Sequence, residues 1–240
     1  MPLAPIEAMY MSAVRRLLDV RRSTPKLTCL VEAGLPSLEA LVKHRQSKFL
    51  RKMFVYRDGM SDTDPLMFTL AYMKENCESI DRYIQDVIQK EDYIADDRDD
   101  LCRQLRDIPP ERTKLHLYSR LNPDLSVHPL YQVTDSQSCV EDNLRITFSR
   151  IRLCSHRLRS ETGRWNRVPS GQRFCPHCED QSIQDEEHLL QCPATLPLRT
   201  EYTVGTDLQS LLAETSKTDL ICLKKCLKLL ESTYEPNLID

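Results

Sequence analysis

Residues 175–192 read CPHCEDQSIQDEEHLLQC, which sets three cysteines and two histidines within one short stretch. The spacing is C-x2-C-x9-H-x3-C on Cys175, Cys178, His188 and Cys192. Two residues between the first cysteines let the chain fold back so that both sulfurs face one tetrahedral ion. If DEEHLLQC is helical, His188 and Cys192 stand one turn apart on the same face, with Asp185 as N-cap and Pro193 as the stop. Three thiolates and an imidazole form a ligand set for zinc, and four protein ligands leave no open position for a catalytic water. The expectation is therefore one structural zinc per chain, worth on the order of 10 kcal/mol of folding energy to a small module. Its residual negative charge falls to Arg173 and its neighbours to offset. A redox role for the Cys175/Cys178 pair would call for a βαβ setting, and nothing nearby reads as parallel strands. His177, between the two cysteines, is expected to point away from the ion.

Around this stretch the composition favours helices. The chain has 240 residues, enough to bury a core, and only 5 glycines, too few for a turn-rich sandwich or barrel. The 14 prolines punctuate segments of helical period. Apolar positions at Ile6, Met9, Tyr10, Ala13, Val14, Leu17 and Leu18 follow the three-and-four spacing of one helix face. A second helix is expected from Pro36 and Ser37 to about Tyr56. A long stripe on Leu66, Leu70, Met73, Cys77, Ile80, Ile84 and Val87 predicts a third helix, and a further amphipathic segment runs from about Ala95 to Leu105. The turn-forming stretch 119–138 marks a linker. Beyond it, helices are expected over about Val140–Leu158 and on Leu220, Leu223, Leu227 and Leu230, with GRWNRVPSGQRF as a loop. The fold expected is all-α: a helical bundle over 1–118, a linker at 119–138, and a small zinc-stabilised, arginine-rich helical module over 139–240.

No apolar run approaches the ~20 residues that cross a bilayer, and the N-terminus lacks the charge order of a signal peptide. An intracellular protein of cytoplasm or nucleus is expected, without a membrane partner and with its cysteines reduced. Cys29, Cys77, Cys102, Cys139, Cys222 and Cys226 read as small core residues.

The net charge of -3 conceals a strong asymmetry. Basic residues dominate 15–57, acids dominate 75–107, and 145–173 holds eight arginines against the single acid Glu161. YIADD, at residues 93–97, has two residues between tyrosine and aspartates where the polymerase signature has one, and its charged flanks read as a solvated helix face. In the arginine block, Arg145, Arg150, Arg152, Arg157, Arg159, Arg164, Arg167 and Arg173 interleave with Phe148, Trp165 and Phe174. Planar guanidinium forks suit phosphates and aromatic rings suit unpaired bases, so the block reads as a nucleic-acid surface. The competing reading is that several of these arginines pair internally with acids.

The stretch RLCSHRLRSETGRWNRVPSGQRFCPHCEDQSIQDEEHLLQCP resembles the C-terminal region of reverse transcriptases from non-LTR (LINE-like) retrotransposons. That region carries an Arg/His segment, a GRW or GRY turn, Arg-x-Cys-x-x-Cys, a Glu-His and a final Cys-Pro. The upstream LLDVRRSTPKLTCLVEAGLPSLEALVKHRQSKFLRKMF is similar to the segment C-terminal to the polymerase core in those proteins, so the likeness covers both ends of Leu17–Pro193. The resemblance implies zinc ligands at Cys175, Cys178, His188 and Cys192 and a basic stretch at Arg152–Arg173 that helps hold template RNA or target DNA. It also implies a polymerase domain as neighbour in the parent element. Fingers, palm and every catalytic aspartate are absent from this sequence, as is an endonuclease signature, so no enzyme activity is expected.

The reading is thus a non-catalytic, retrotransposon-derived binder of RNA or DNA with low sequence specificity. Its contacts are expected at Arg150, Arg152, Arg157, Arg159, Arg164, Trp165, Arg167 and Arg173. The alternatives are a zinc-stabilised protein-interaction adaptor and an inactive retroelement remnant.

Overall fold

The computed structural model describes residues 3–57, 72, 82, 86–87, 90, 92–109, 113–131 and 139–231. These residues are mostly helical, and no strand occurs among them; the one β-type pairing is an isolated antiparallel bridge between Phe174 and Ile183. No helix among them is long and apolar enough to cross a membrane. The chain divides into two compact units, one of Met1–Gly34 with Gln104–Asp240 and one of Leu35–Arg103. Both ends of the chain thus build the first unit. The boundary expected at 119–138 falls inside it instead: Asn122 and Leu125 are buried there and Tyr131 packs on its core.

In the first unit, α1 (Ala4–Leu18) opens with a proline in its first turn and ends in a Schellman turn. Asp19, at φ 51°, donates its N–H to the Arg16 carbonyl, and Val20 donates to that of Arg15. The core face of α1 is Met11, Val14 and Leu18, while Ile6, Met9 and Leu17 are exposed. The helix was legible but its buried face was not, because α1 carries two apolar stripes. α2 (Lys26–Ala33), absent from the sequence reading, packs Cys29, Leu30 and Val31 inside and ends at Gly34. That residue has φ +65°, and a Cβ on it would lie 2.6 Å from Val127 Cγ2, so both backbone and space require glycine.

After α5 (Thr113–Leu121) and a 3-10 turn (Pro129–Tyr131), α6 (Cys139–Arg152) buries Leu144, Phe148 and Ile151. It stops well before Leu158. Cys154 takes φ 50°, Ser155 N donates to Arg150 O at 2.7 Å and Cys154 N to Ile151 O at 3.1 Å, a second Schellman turn built without glycine. α7 (Arg159–Trp165) turns the expected GRW loop into helix. The short α8 (His188–Gln191), α9 (Leu196–Tyr202) and α10 (Leu208–Ala213) precede α11 (Lys217–Glu231), whose Leu220, Leu223, Leu227 and Leu230 are all buried as its period required. Leucines, Phe148 and Ile151 of this unit share one core with Cys175, Cys192, Cys222 and Cys226. Each large apolar side chain fully buried there stabilises by about 1.5–3 kcal/mol.

In the second unit, α3 (Leu38–Arg57) is capped by Ser37, whose hydroxyl accepts from Ala40 N at 3.2 Å, so Pro36 lies just outside the helix. α4 (Tyr93–Arg106) carries YIADD as helix. Three of its acids are engaged within that unit. Asp97 accepts from Ser37 N at 2.7 Å and Ser37 Oγ at 2.6 Å, Asp96 pairs with Lys90 at 2.9 Å, and Asp100 with Arg103 at 3.0 Å. The stripe from Leu66 to Ile84 lies outside the described residues. Cys29, Cys102, Cys222 and Cys226 are buried as expected, and so is Cys154.

Candidate metal centre and arginine face

The metal-ligand spacing is realised by a minimal hairpin. Cys175 N donates to Ser182 O at 2.7 Å and Gln184 N to Arg173 O at 2.9 Å, with the Phe174–Ile183 bridge between them. The chain then turns at Cys175–Cys178, where burial raises the pKa of the Cys175 thiol and the His177 backbone N–H, reaching its sulfur, acts in the opposite sense. On the other side, the N-cap position of α8 is Glu187 and not the expected Asp185, whose carboxylate nevertheless accepts from His188 N at 2.9 Å, and Cys192 N donates to His188 O at 2.8 Å. The helix is shorter than DEEHLLQC, yet the His188–Cys192 turn is kept.

The four ligand atoms lie within 4.8 Å of one another. Cys175 Sγ is 3.8 Å and Cys178 Sγ 3.6 Å from Cys192 Sγ, and Cys178 Sγ is 3.2 Å from His188 Nε2. Sulfurs bound at ~2.3 Å to one tetrahedral ion stand about 3.8 Å apart, whereas a disulfide requires ~2.0 Å. The thiols are free, and the cluster is close enough to hold one metal ion with the donor set that suits zinc. Burial and then the neighbouring Cys192 and Cys175 push the Cys178 thiol up to about 12, and burial lowers His188. Thiols raised in this way, Cys175 and Cys178, give up their protons more readily when a cation binds, which couples metal binding to pH. His177 stands outside the ligand set; its Nε2 is buried without a hydrogen-bond partner.

Gln184, 1 % exposed, ties this centre to its surroundings. Its amide nitrogen donates to Leu230 O at 3.2 Å and approaches Cys175 Sγ at 3.8 Å, while its Oε1 accepts from Arg159 N at 2.9 Å at the start of α7. Next to it, buried His156 pairs with Glu186 at 2.8 Å. Leu158 N donates to His156 Nδ1 at 3.2 Å, so the ring proton sits on Nε2 and is given to the carboxylate. Neither Gln184 nor this pair was legible in the sequence, because each acts through contacts between residues far apart along the chain.

The expected arginine set divides. Arg157, Arg159, Arg164 and Arg167 are exposed, and Trp165 is 39 % exposed. Arg150 pairs with Asp19 at 2.7 Å, and Arg164 reaches Glu161 at 3.5 Å. Two assignments are corrected. Arg152 is buried and its Nη2 lies 3.0 Å from Glu32 Oε2, so no nucleic-acid chain reaches it. Arg173 donates to Val168 O at 3.0 and 2.9 Å and to Ser160 O at 2.7 Å, which makes it a clamp around α7 in place of the expected phosphate contact. Conversely, Arg21, from the first basic block, lies with its guanidinium carbon 3.8 Å from the Trp165 ring centroid. Its sequence position gave no sign of that meeting.

Fold and site together define an all-α protein with a Cys3His cluster compatible with zinc. No protein-family model matches the chain, and no match was found among curated proteins or solved structures.

Proposed function

We propose that the chain is a nucleic-acid-binding module of retrotransposon origin, in which a structural zinc at Cys175, Cys178, His188 and Cys192 holds the turn and helix that display an arginine face. The observation that carries this reading is the exposure of Arg157, Arg159, Arg164, Arg167 and Trp165 within one short stretch, with Arg21, from near the N-terminus, lying over the Trp165 ring. Guanidinium groups supply phosphate contacts and the indole supplies a stacking surface. A closed four-ligand metal set suits support rather than catalysis. Reduced thiols suit an intracellular setting, in cytoplasm or nucleus. The polymerase domain implied by the resemblance is its natural neighbour.

Binding through phosphates without base-edge recognition gives low sequence specificity and a steep salt dependence. For single strands, log K is expected to fall with log salt at a slope of about -0.7 per phosphate contact. Titrating zinc-loaded protein with RNA and DNA across a salt series tests this. Binding that weakens steeply with salt supports the reading, and no binding at low salt overturns it in favour of an adaptor.

A further inference from the structure

Arg21 sits between α1 and α2, and its placement is specified by the fold. Its backbone N–H donates to Ser155 Oγ at 2.9 Å, in the turn that ends α6, and its guanidinium covers Trp165 at the end of α7. Burial first, then the charges of Arg157 and Arg150, lower its pKa, with Glu161 and Glu231 acting in the opposite sense. Asp19 answers Arg150, and Glu231 accepts from the backbone N–H of Arg157. Three guanidinium groups from two ends of the chain therefore share one field beside an aromatic ring. Like charges held together by a rigid scaffold lower the free energy of a bound anion, and a cation already stacked on an indole presents a flat two-layer platform.

We propose that Arg21, Arg157 and Trp165 form a subsite for one unpaired nucleotide of a single strand. The base extends the Arg21–Trp165 stack by one layer, and the adjoining phosphate lies between Arg21 and Arg157. Arg159, Arg164 and Arg167 continue the basic track for neighbouring phosphates. A duplex cannot use this subsite without unstacking a base, so the site selects single strands. This rests on the nucleic-acid reading above and specifies its ligand.

Trp165 is the single tryptophan of the chain, so intrinsic emission reports this subsite alone. The zinc-loaded full chain is titrated with a short unstructured oligonucleotide, with its matched duplex, and with inorganic polyphosphate as an anion without bases. The single strand is expected to quench Trp165 emission and to bind more tightly than the duplex; polyphosphate is expected to bind without comparable quenching. Trp165→Ala is expected to weaken single-strand binding about tenfold, the loss of one stacked base. Arg21→Gln should weaken the single strand more than the duplex, and Arg157→Gln, at an exposed position, serves where Arg21→Gln disturbs folding. Equal affinity for single strand and duplex with unchanged emission overturns the subsite while leaving nucleic-acid binding intact. No binding of any nucleic acid by folded, zinc-loaded protein overturns both.

Discussion

Glu32 is fully buried and answers several partners at once: Arg152 at 3.0 Å, the Tyr118 hydroxyl at 2.9 Å and the Tyr131 hydroxyl at 2.7 Å. Asn122 and Ser149 extend the network through those two hydroxyls. Removing one member of a buried ion pair leaves the other charge uncompensated, so Glu32→Ala should cost about 3–5 kcal/mol in chemical denaturation. Arg152→Ala should destabilise comparably without the selective loss of nucleic-acid binding expected of a surface arginine. His128 lies beside this network, its ring 4.4 Å from Phe148, with Nδ1 accepting from Leu130 N at 3.2 Å. Burial, then Arg152, lower its pKa from 6.5 to about 4. Between those values the unfolded chain binds more protons than the folded one, so stability should fall as pH drops through that window and level off below it. His128→Gln should flatten that dependence in pH-resolved melts. At this scale the sequence reading succeeded in bringing Cys175, Cys178, His188 and Cys192 into one cluster, because C-x2-C and H-x3-C are local. It failed for Arg152, because whether that arginine faces water or the buried Glu32 depends on α2, whose contact with α6 no local pattern encodes, and for Arg173, whose carbonyl partners around α7 are set by the fold of that turn.

α7 is packed closely against the Arg173 side chain. A Cβ on Gly163 of α7 would lie 2.8 Å from Arg173 Cγ and Cδ, and three hydrogen bonds keep that side chain from retreating. Gly163→Ala should therefore destabilise by about 1–3 kcal/mol despite alanine's better helix propensity, a reversal that thermal melts would detect. Gln184 joins the Cys175 sulfur to the first turn of the same helix. Gln184→Leu should keep the four ligands yet lower zinc affinity roughly 10- to 100-fold in a chelator competition. Long amphipathic elements such as α4 and α11 were legible from their period, whereas α3 carries Phe49 exposed. The short α8, α9 and α10 offer too few turns for a period to register, and α6 ends at a cysteine in the left-handed region where sequence signals lead one to expect glycine.

Across the first unit, Met1–Gly34 and Gln104–Asp240 form one body, with Cys175 and Cys192 of the Cys3His cluster in its core and Cys178 packed against it. The helical class was accessible from composition and periodicity, but this assembly was not, since it depends on Met1–Gly34 packing with a segment far along the chain. The central claim is that one zinc ion holds this body together at Cys175, Cys178, His188 and Cys192. The most direct measurement is the metal content of the chain purified under reducing conditions, compared with Cys192→Ser. The account predicts one zinc per chain, lost in the variant together with thermal stability; a zinc-free chain, or a variant unchanged in zinc content and melting temperature, would contradict it.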